Sequence, residues 1–315
     1  MRIDDLDDAA SVKRAFAGAY GAYCVTNFWE HFSPEKEQAQ ARNMADAARA
    51  TGLEHVIWST LEDVRRWVLL SENRMPTLGG KWKVPHFDGK GEIDPIWKDL
   101  GVPTTLLLTS FYWDNFIHFG MSPKAGADSN LAIALPMGDR KLPGIAAADI
   151  GPCAYGIFKA GNEYVGKTVG IAGEHLSGAE LAAAFTRALG RKVAYYEMTP
   201  EAYRALGFPG AADLGNMFQV KRDFNADFCA PRSVEKSREL NPKLKSFEQW
   251  LAAHARQMTP GECPGSRASC RIPRRSRGLG QVACAQRLHR QGPPVGYWTC
   301  LPASVGEIHH AQVGF

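Results

Sequence analysis

The 315-residue chain has no run of 18 consecutive apolar residues, so no segment reads as a helix that crosses a bilayer. The opening MRIDDLDDAA is acidic and polar, where a leader starts basic and turns apolar, so no secretory leader is expected. A cytoplasmic protein with no membrane contact is the expectation, its seven cysteines mostly free thiols. No G-x-G-x-x-G opens the chain, and no first strand stands ready to carry one. An excess of one charge is also missing from the body. Residues 1–258 hold 30 of the 37 basic and 31 of the 33 acidic residues, which gives no footprint for nucleic acid. Lys is absent from the last 57 residues, which carry seven Arg, six Pro and eight Gly.

That density of breakers leaves no periodic apolar stripe after Met258. Three readings of the tail compete. The stretch RIPRRSR clusters four Arg and suits a nucleic-acid tail. Cys263, Cys270, Cys284 and Cys300, with His289, His309 and His310, suit a zinc module. Their spacings, C-x6-C, C-x13-C and C-x15-C, lack the short knuckle that puts two thiolates on one ion, so no metal site is expected. Arg, Pro, Gly, Ser and Cys without Lys is what a GC-rich gene yields in a wrong frame. Disordered, out-of-frame sequence over 259–315 is the favoured reading.

In the body, elements alternate. GAYCVTN, LEHVIWST and VPTTLLLTS read as apolar strands. Between the first two, Ser33, Pro34 and Glu35 start a helix that stops at Gly52. Residues 61–85 read as a long loop, and residues 86–101 as one helix despite Pro95. Strands separated by helices predict right-handed βαβ units and a parallel sheet over residues 1–110. From Phe111 to Met258 the texture changes to a smaller α+β lobe. There NLAIALP, KTVGIAG and RKVAYYEM read as strands, and Asp149, Ser177 and Thr199 as helix starts. Two or three more helices are expected up to Met258, the last capped by Ser246 and Gln249.

GNEYVGKT, residues 161–168, matches the phosphate loop G-x4-G-K-[ST]. That loop needs a strand before it and a helix after it, and here the order is reversed. A helix-to-strand turn is predicted instead. His86 and Lys90, four apart at a helix start, share one face. Lys90 either reaches a ribose or small anion or is merely solvated. FYWDNF, residues 111–116, follows a strand, and the carboxyl ends of parallel strands are where open α/β sheets bind ligands. TNFWEH at 26–31 and Ser59-Thr60 follow two other strands, so three strand ends supply polar or aromatic groups to one rim.

The stretches VTNFWEHFSPEKEQ, HFDGKGEID, GVPTTLLLTSFYWDNF, TPEAYRALGFPGAADLGNMF and LNPKLKSFEQWLAAH resemble the NmrA-like family. It is an atypical branch of the short-chain dehydrogenase/reductase superfamily. The resemblance runs from residue 1 to about 258 and has no counterpart to the tail. It implies an α/β, Rossmann-like parallel sheet with a smaller α+β second lobe, and NADP(H) as cofactor. It implies that Lys90 touches the nicotinamide ribose. Further cofactor contacts are implied from Thr26, Asn27 and Phe28, from Tyr112, Trp113, Asp114 and Asn115, and from Asp5 near the adenine. Enzymes of the superfamily carry a Tyr four residues before the active-site Lys, and that place is His86 here.

Family members begin with a strand and a glycine-rich turn, whereas this chain begins at what reads as the end of a third strand. About 50–60 residues of a βαβ layout are then missing. The expectation is a partial Rossmann-like sheet lacking its first strands, in a dinucleotide-binding redox sensor or regulator with impaired affinity. An NAD(P)H-dependent reductase of quinones or small carbonyls, with His86 or Tyr112 as acid, is the alternative. A regulatory protein partner acting through the second lobe is a third. With the first strand absent, GAYCVT is expected to be a bare sheet edge, so self-association is predicted.

Overall fold

The computed structural model describes residues 5–125 and 130–258, and residues 299–302 as backbone. The Asp8 carboxylate accepts the Ala10 N–H and starts α1 (Ala9–Phe16), which leads into β1 (Ala19–Cys24). A short α2 (Phe28–His31) precedes α3 (Pro34–Thr51). Ser33 caps α3 by accepting from the Lys36 N–H, Pro34 fills its first position, and Gly52 closes it at φ 68°. Then come β2 (His55–Thr60), α4 (Pro85–Ile93), α5 (Pro95–Asp99) and β3 (Thr104–Leu108). The single helix expected over 86–101 is thus two. Pro95 has no N–H to continue α4, and the chain restarts after Asp94.

The second half supplies β4 (Phe111–Tyr112), α6 (Asn115–His118), β5 (Lys124–Ala125), β6 (Leu131–Leu135) and β7 (Leu142–Ile145). Next come α7 (Ala147–Lys159), β8 (Thr168–Ile171), β9 (Glu174–Leu176), α8 (Gly178–Leu189) and β10 (Val193–Glu197). They are followed by α9 (Pro200–Arg204), α10 (Ala211–Asp223), α11 (Asn225–Cys229), β11 (Arg232–Ser233), α12 (Val234–Leu240) and α13 (Phe247–His254). A last strand, β12 (Thr299–Pro302), lies in the tail. Among the described residues four helices follow α9, not two or three. Asp149 does not open α7, which starts two residues earlier; its carboxylate instead takes the Lys245 N–H at 2.9 Å and Nζ at 2.7 Å.

The main sheet has the order β11-β8-β3-β2-β1-β12. Every pair in it is parallel except the last, where β12 runs antiparallel to β1. All six residues of β2 are buried, as expected of a central parallel strand covered on both faces. One face packs Ala22, Cys24, Val56 and Trp58 under α1, α3 and α5; the other packs Ile57, Leu107 and Ile171 under α7 and α12. Two three-stranded sheets, β10-β6-β5 and β4-β7-β9, stand apart from the main sheet, and a large core cluster rich in Phe and Trp joins residues from both halves of the chain.

The bare edge expected at GAYCVT is not found. Tyr23 and Ala22 pair with Thr299 and Cys300, so a tail strand lies along β1. Four residues of the segment expected to be wholly disordered are therefore a strand, and the rest of 259–315 lies outside the described residues. Of the residues weighed as zinc ligands, Cys300 lies in that strand with its side chain not described, and the others lie outside the described residues. Gly161–Tyr164 is a 3-10 turn between α7 and β8, so the phosphate-loop match is a helix-to-strand turn. Among the described residues no helix is long and apolar enough to cross a membrane.

Candidate functional site

The carboxyl ends of β1, β2 and β3 point toward one rim, and α4 crosses that rim. Lys90 lies on α4 and is buried at 7% exposure, so it is not a solvated side chain. Its ammonium donates to the Thr26 hydroxyl at 2.6 Å and to the Ser59 carbonyl at 3.3 Å. It also sits 3.2 Å from Glu37 Oε1 and 4.7 Å from the Trp58 ring centre. Thr26 in turn donates to the same Glu37 oxygen at 2.6 Å. Glu37 is fully buried in the first turns of α3, and its second oxygen, Oε2, has no partner. One turn beyond Lys90, Asp94 Oδ1 accepts from Thr60 at 2.6 Å and Trp58 Nε1 at 2.8 Å. Burial pushes the Asp94 carboxyl up to about 7 against those bonds and the Lys90 charge.

His86 sits one turn before Lys90. Its Nδ1 is 2.7 Å from Asp213 Oδ1, and its backbone N–H donates to Asp213 Oδ2 at 3.3 Å. The ring is boxed by Trp29 at 4.9 Å, Phe87 at 4.7 Å and Phe28 at 5.8 Å. Asp213 reaches it from the first turn of α10, so the pair joins residues 127 apart in sequence. Gly210 sits at the N-cap of α10, and its φ of 85° suits glycine; a Cβ there would lie 3.0 Å from Trp29 and 3.3 Å from Phe32. Phe32 is the one described non-glycine residue with positive φ, 55°, and it is 47% exposed. Beside these turns opens a groove of about 340 Å³ walled by Phe28, Phe32, Phe208, Pro85 and Asp213.

The other predicted contacts separate. Phe28 lies between His86 and the groove, and Asn27 is exposed at the start of α2. Tyr112 packs toward the cluster under α7, bonded to Thr109 at 3.2 Å, and burial raises its pKa. Trp113 is 2% exposed and packs on Phe247 and Trp250, with Gly144 and Gly173 making room for it. Asp114 accepts the Ala147 N–H at 2.8 Å and so caps α7. Asn115 is half-buried in the first turn of α6. Asp5 is exposed and spends its carboxylate on the Asp7 N–H at 2.9 Å.

Sequence reasoning missed Glu37, Asp94 and Asp213, and a second cluster behind the rim. Arg232 clamps Glu62 with two bonds, 2.6 and 2.9 Å, and donates to the Thr109 and Phe228 carbonyls. Burial raises the Glu62 carboxyl, but Arg232 outweighs it and holds it below the ordinary value. Lys221 lies nearby at 5.2–6.0 Å from the rings of Phe87, Phe111, Phe218 and Phe228. Asp213 stood in view within LGFPGAADLGNMF, but only a tertiary contact gives it a role.

The residues fit part of a dinucleotide. A buried ammonium at parallel strand ends, next to a buried carboxylate oxygen with no donor, suits the hydroxyls of a nicotinamide ribose. No glycine-rich strand-to-helix turn is present among the described residues to hold a pyrophosphate.

The model of the NmrA-like family matches residues 3–251. Nitrogen metabolite repression protein nmr of Neurospora crassa is 27% identical over 80% of this chain and 52% of its own length. Nitrogen metabolite repression protein nmrA of Emericella nidulans is 28% identical over 61% of this chain and 53% of its own. The chain thus spans about half the length of these curated relatives. The NmrA-like oxidoreductase FrzB of a Cladobotryum species is 24% identical over 70% of this chain and 69% of its own. Among solved structures, NmrA, a negative transcriptional regulator, gives a TM-score of 0.65 at 24% identity, covering 78% of this chain and 77% of that one. NmrA has been solved with NAD and with NADP. A Citrobacter triphenylmethane reductase complexed with NADP(H) gives 0.58 at 18% identity, over 80% and 81%. These structural likenesses carry the fold alone.

Proposed function

This chain belongs to the NmrA-like family, and on that premise we propose that it is a cytoplasmic, NADP(H)-responsive redox sensor or regulator. The observation that carries the reading is the buried Lys90–Thr26–Glu37 cluster at the ends of parallel strands. Lys90 and Thr26 would hold the nicotinamide ribose, and Glu37 Oε2 would accept one of its hydroxyls. When bound, the dinucleotide supplies a redox state that the protein reads. The regulatory names of the fungal relatives and the NAD and NADP complexes of NmrA support this reading. The regulated partner is proposed to be a protein. Without a glycine-rich strand-to-helix turn among the described residues, affinity is weak. The test is titration calorimetry with NADPH, backed by saturation-transfer NMR. The expected dissociation constant is weaker than about 1 μM, which corresponds to about −8 kcal/mol. Tighter binding overturns the impairment, and no NMR transfer overturns the dinucleotide reading.

A second reading, a reductase of quinones or small carbonyls, is favoured by one observation. His86 carries a buried carboxylate partner, an arrangement suited to a proton donor.

A further inference from the structure

We propose that the groove beside α10 is a binding site for a small arylalkyl ammonium ion, with the Asp213 carboxylate as its counter-ion. The site is separate from the dinucleotide reading, since Lys90, Thr26 and Glu37 do not line it. Its walls come from both halves of the chain. Phe28 and Phe32 belong to α2 and the residue that ends it, Phe208 and Asp213 to the entry and first turn of α10. A volume of about 340 Å³ suits a small ligand. The backbone is bent to build these walls. Phe32 at φ 55° and Gly207 and Gly210 at 72° and 85° are all left-handed, a conformation that a phenylalanine adopts only at a cost. Strain of that kind gathers at ligand clamps. Here it accompanies two phenyl rings left open to water, Phe32 and Phe208, both in the lining of one concavity.

The charge selects the ligand. Arg204 and Asp213 are the charged residues of the lining. Arg204 is already spent: its guanidinium donates to Glu201 Oε1 at 2.6 Å, Gln219 Oε1 at 2.7 Å and Asn216 Oδ1 at 3.2 Å. Asp213 is 5% exposed, and its ion-pair partner among the described residues is His86, a cation only when protonated. The carboxylate accepts from His86 Nδ1 and from the His86 backbone N–H, two of its roughly four lone-pair directions. An ammonium takes the remaining ones, bringing both the missing charge and hydrogen-bond donors. The phenyl faces of Phe28, Phe32 and Phe208 attract the same cation, and they pack against an aryl body carried on a short arm. An anion of equal shape meets Asp213 as a like charge, and a neutral alcohol leaves that charge uncompensated.

The test is titration of the full chain, without dinucleotide, with three probes of similar shape: 2-phenylethylammonium, 2-phenylethanol and 3-phenylpropionate. Saturation-transfer NMR and calorimetry read the binding. The ammonium is expected to bind roughly tenfold or more tightly than the alcohol, the worth of a charged hydrogen bond, and the carboxylate not at all. Asp213→Asn should erase the preference for the ammonium and leave the alcohol's affinity unchanged. Phe208→Ala, at an exposed ring, should weaken the ammonium and the alcohol alike, and it locates the site if Asp213→Asn loses its cooperative melt. Alcohol or carboxylate binding as tightly as the ammonium overturns the counter-ion role. Unchanged ammonium affinity overturns the part of Asp213 if seen in Asp213→Asn, and the choice of groove if seen in Phe208→Ala. No binding of the ammonium by the wild-type chain overturns the site itself.

Discussion

Lys221 shows what a charge costs when it has no counterion of its own. Four phenyl rings surround its amine, Arg232 lies near, and both Glu62 oxygens are already given to that Arg. Burial, with the Arg232 charge added, lowers its pKa from 10.5 to about 7. Between those values the unfolded chain binds a proton that the folded chain does not. Stability therefore rises with pH across that window and is lowest below about 7. From about pH 7 to 9 the gain from this group is roughly 2–3 kcal/mol. Lys221→Met should be the more stable protein near pH 7 and should lose that slope. Urea unfolding at both pH values checks it, and parallel slopes for the two proteins would count against a neutral Lys221. Nothing in the sequence marks this residue, because its four rings come from three separate stretches of chain.

At the scale of elements, what is local was legible. The caps Ser33, Ser177, Thr199 and Ser246 and the stop at Gly52 all lie where their spacing put them. The long parallel strands were legible too, because burial on both faces makes them apolar throughout. The strands β4, β7 and β9 were not; each is two to four residues long and exists through partners distant in sequence. For the site, Lys90, Thr26 and His86 were readable from position. Glu37 and Asp213 were not, since only tertiary packing brings them to the site. The turn into α10 allows a comparison of two glycines. Gly207, φ 72°, has open space where a Cβ would go, whereas Gly210 faces Trp29 and Phe32. Gly207→Ala should cost about 1–2 kcal/mol from backbone strain alone. Gly210→Ala should cost more and disturb the groove. Equal unfolding midpoints would mean the aromatic turn yields freely.

At the scale of the whole molecule, the edge of the main sheet decides how the protein behaves in solution. β1 would expose unpaired backbone groups if β12 were not beside it. Removing residues 259–315 should therefore produce larger particles in light scattering than the full chain gives. If the shortened chain stays equally monodisperse, β12 is not what keeps β1 from pairing with another molecule. The predicted self-association belongs to that shortened form.

The Glu62–Arg232 clamp also sets a schedule. Its partners lie 170 residues apart, and both end up almost wholly without solvent, at 2% and 0% exposure. On a ribosome working at about 5–20 residues per second, roughly 10–30 s pass after Glu62 is made before Arg232 exists. Throughout that interval the carboxylate lacks the two hydrogen bonds of Arg232, and sealing it away from water would be costly. The nascent sheet must keep the end of β2 wet until β11 arrives, so the two halves mature together and the order of synthesis does not become the order of folding.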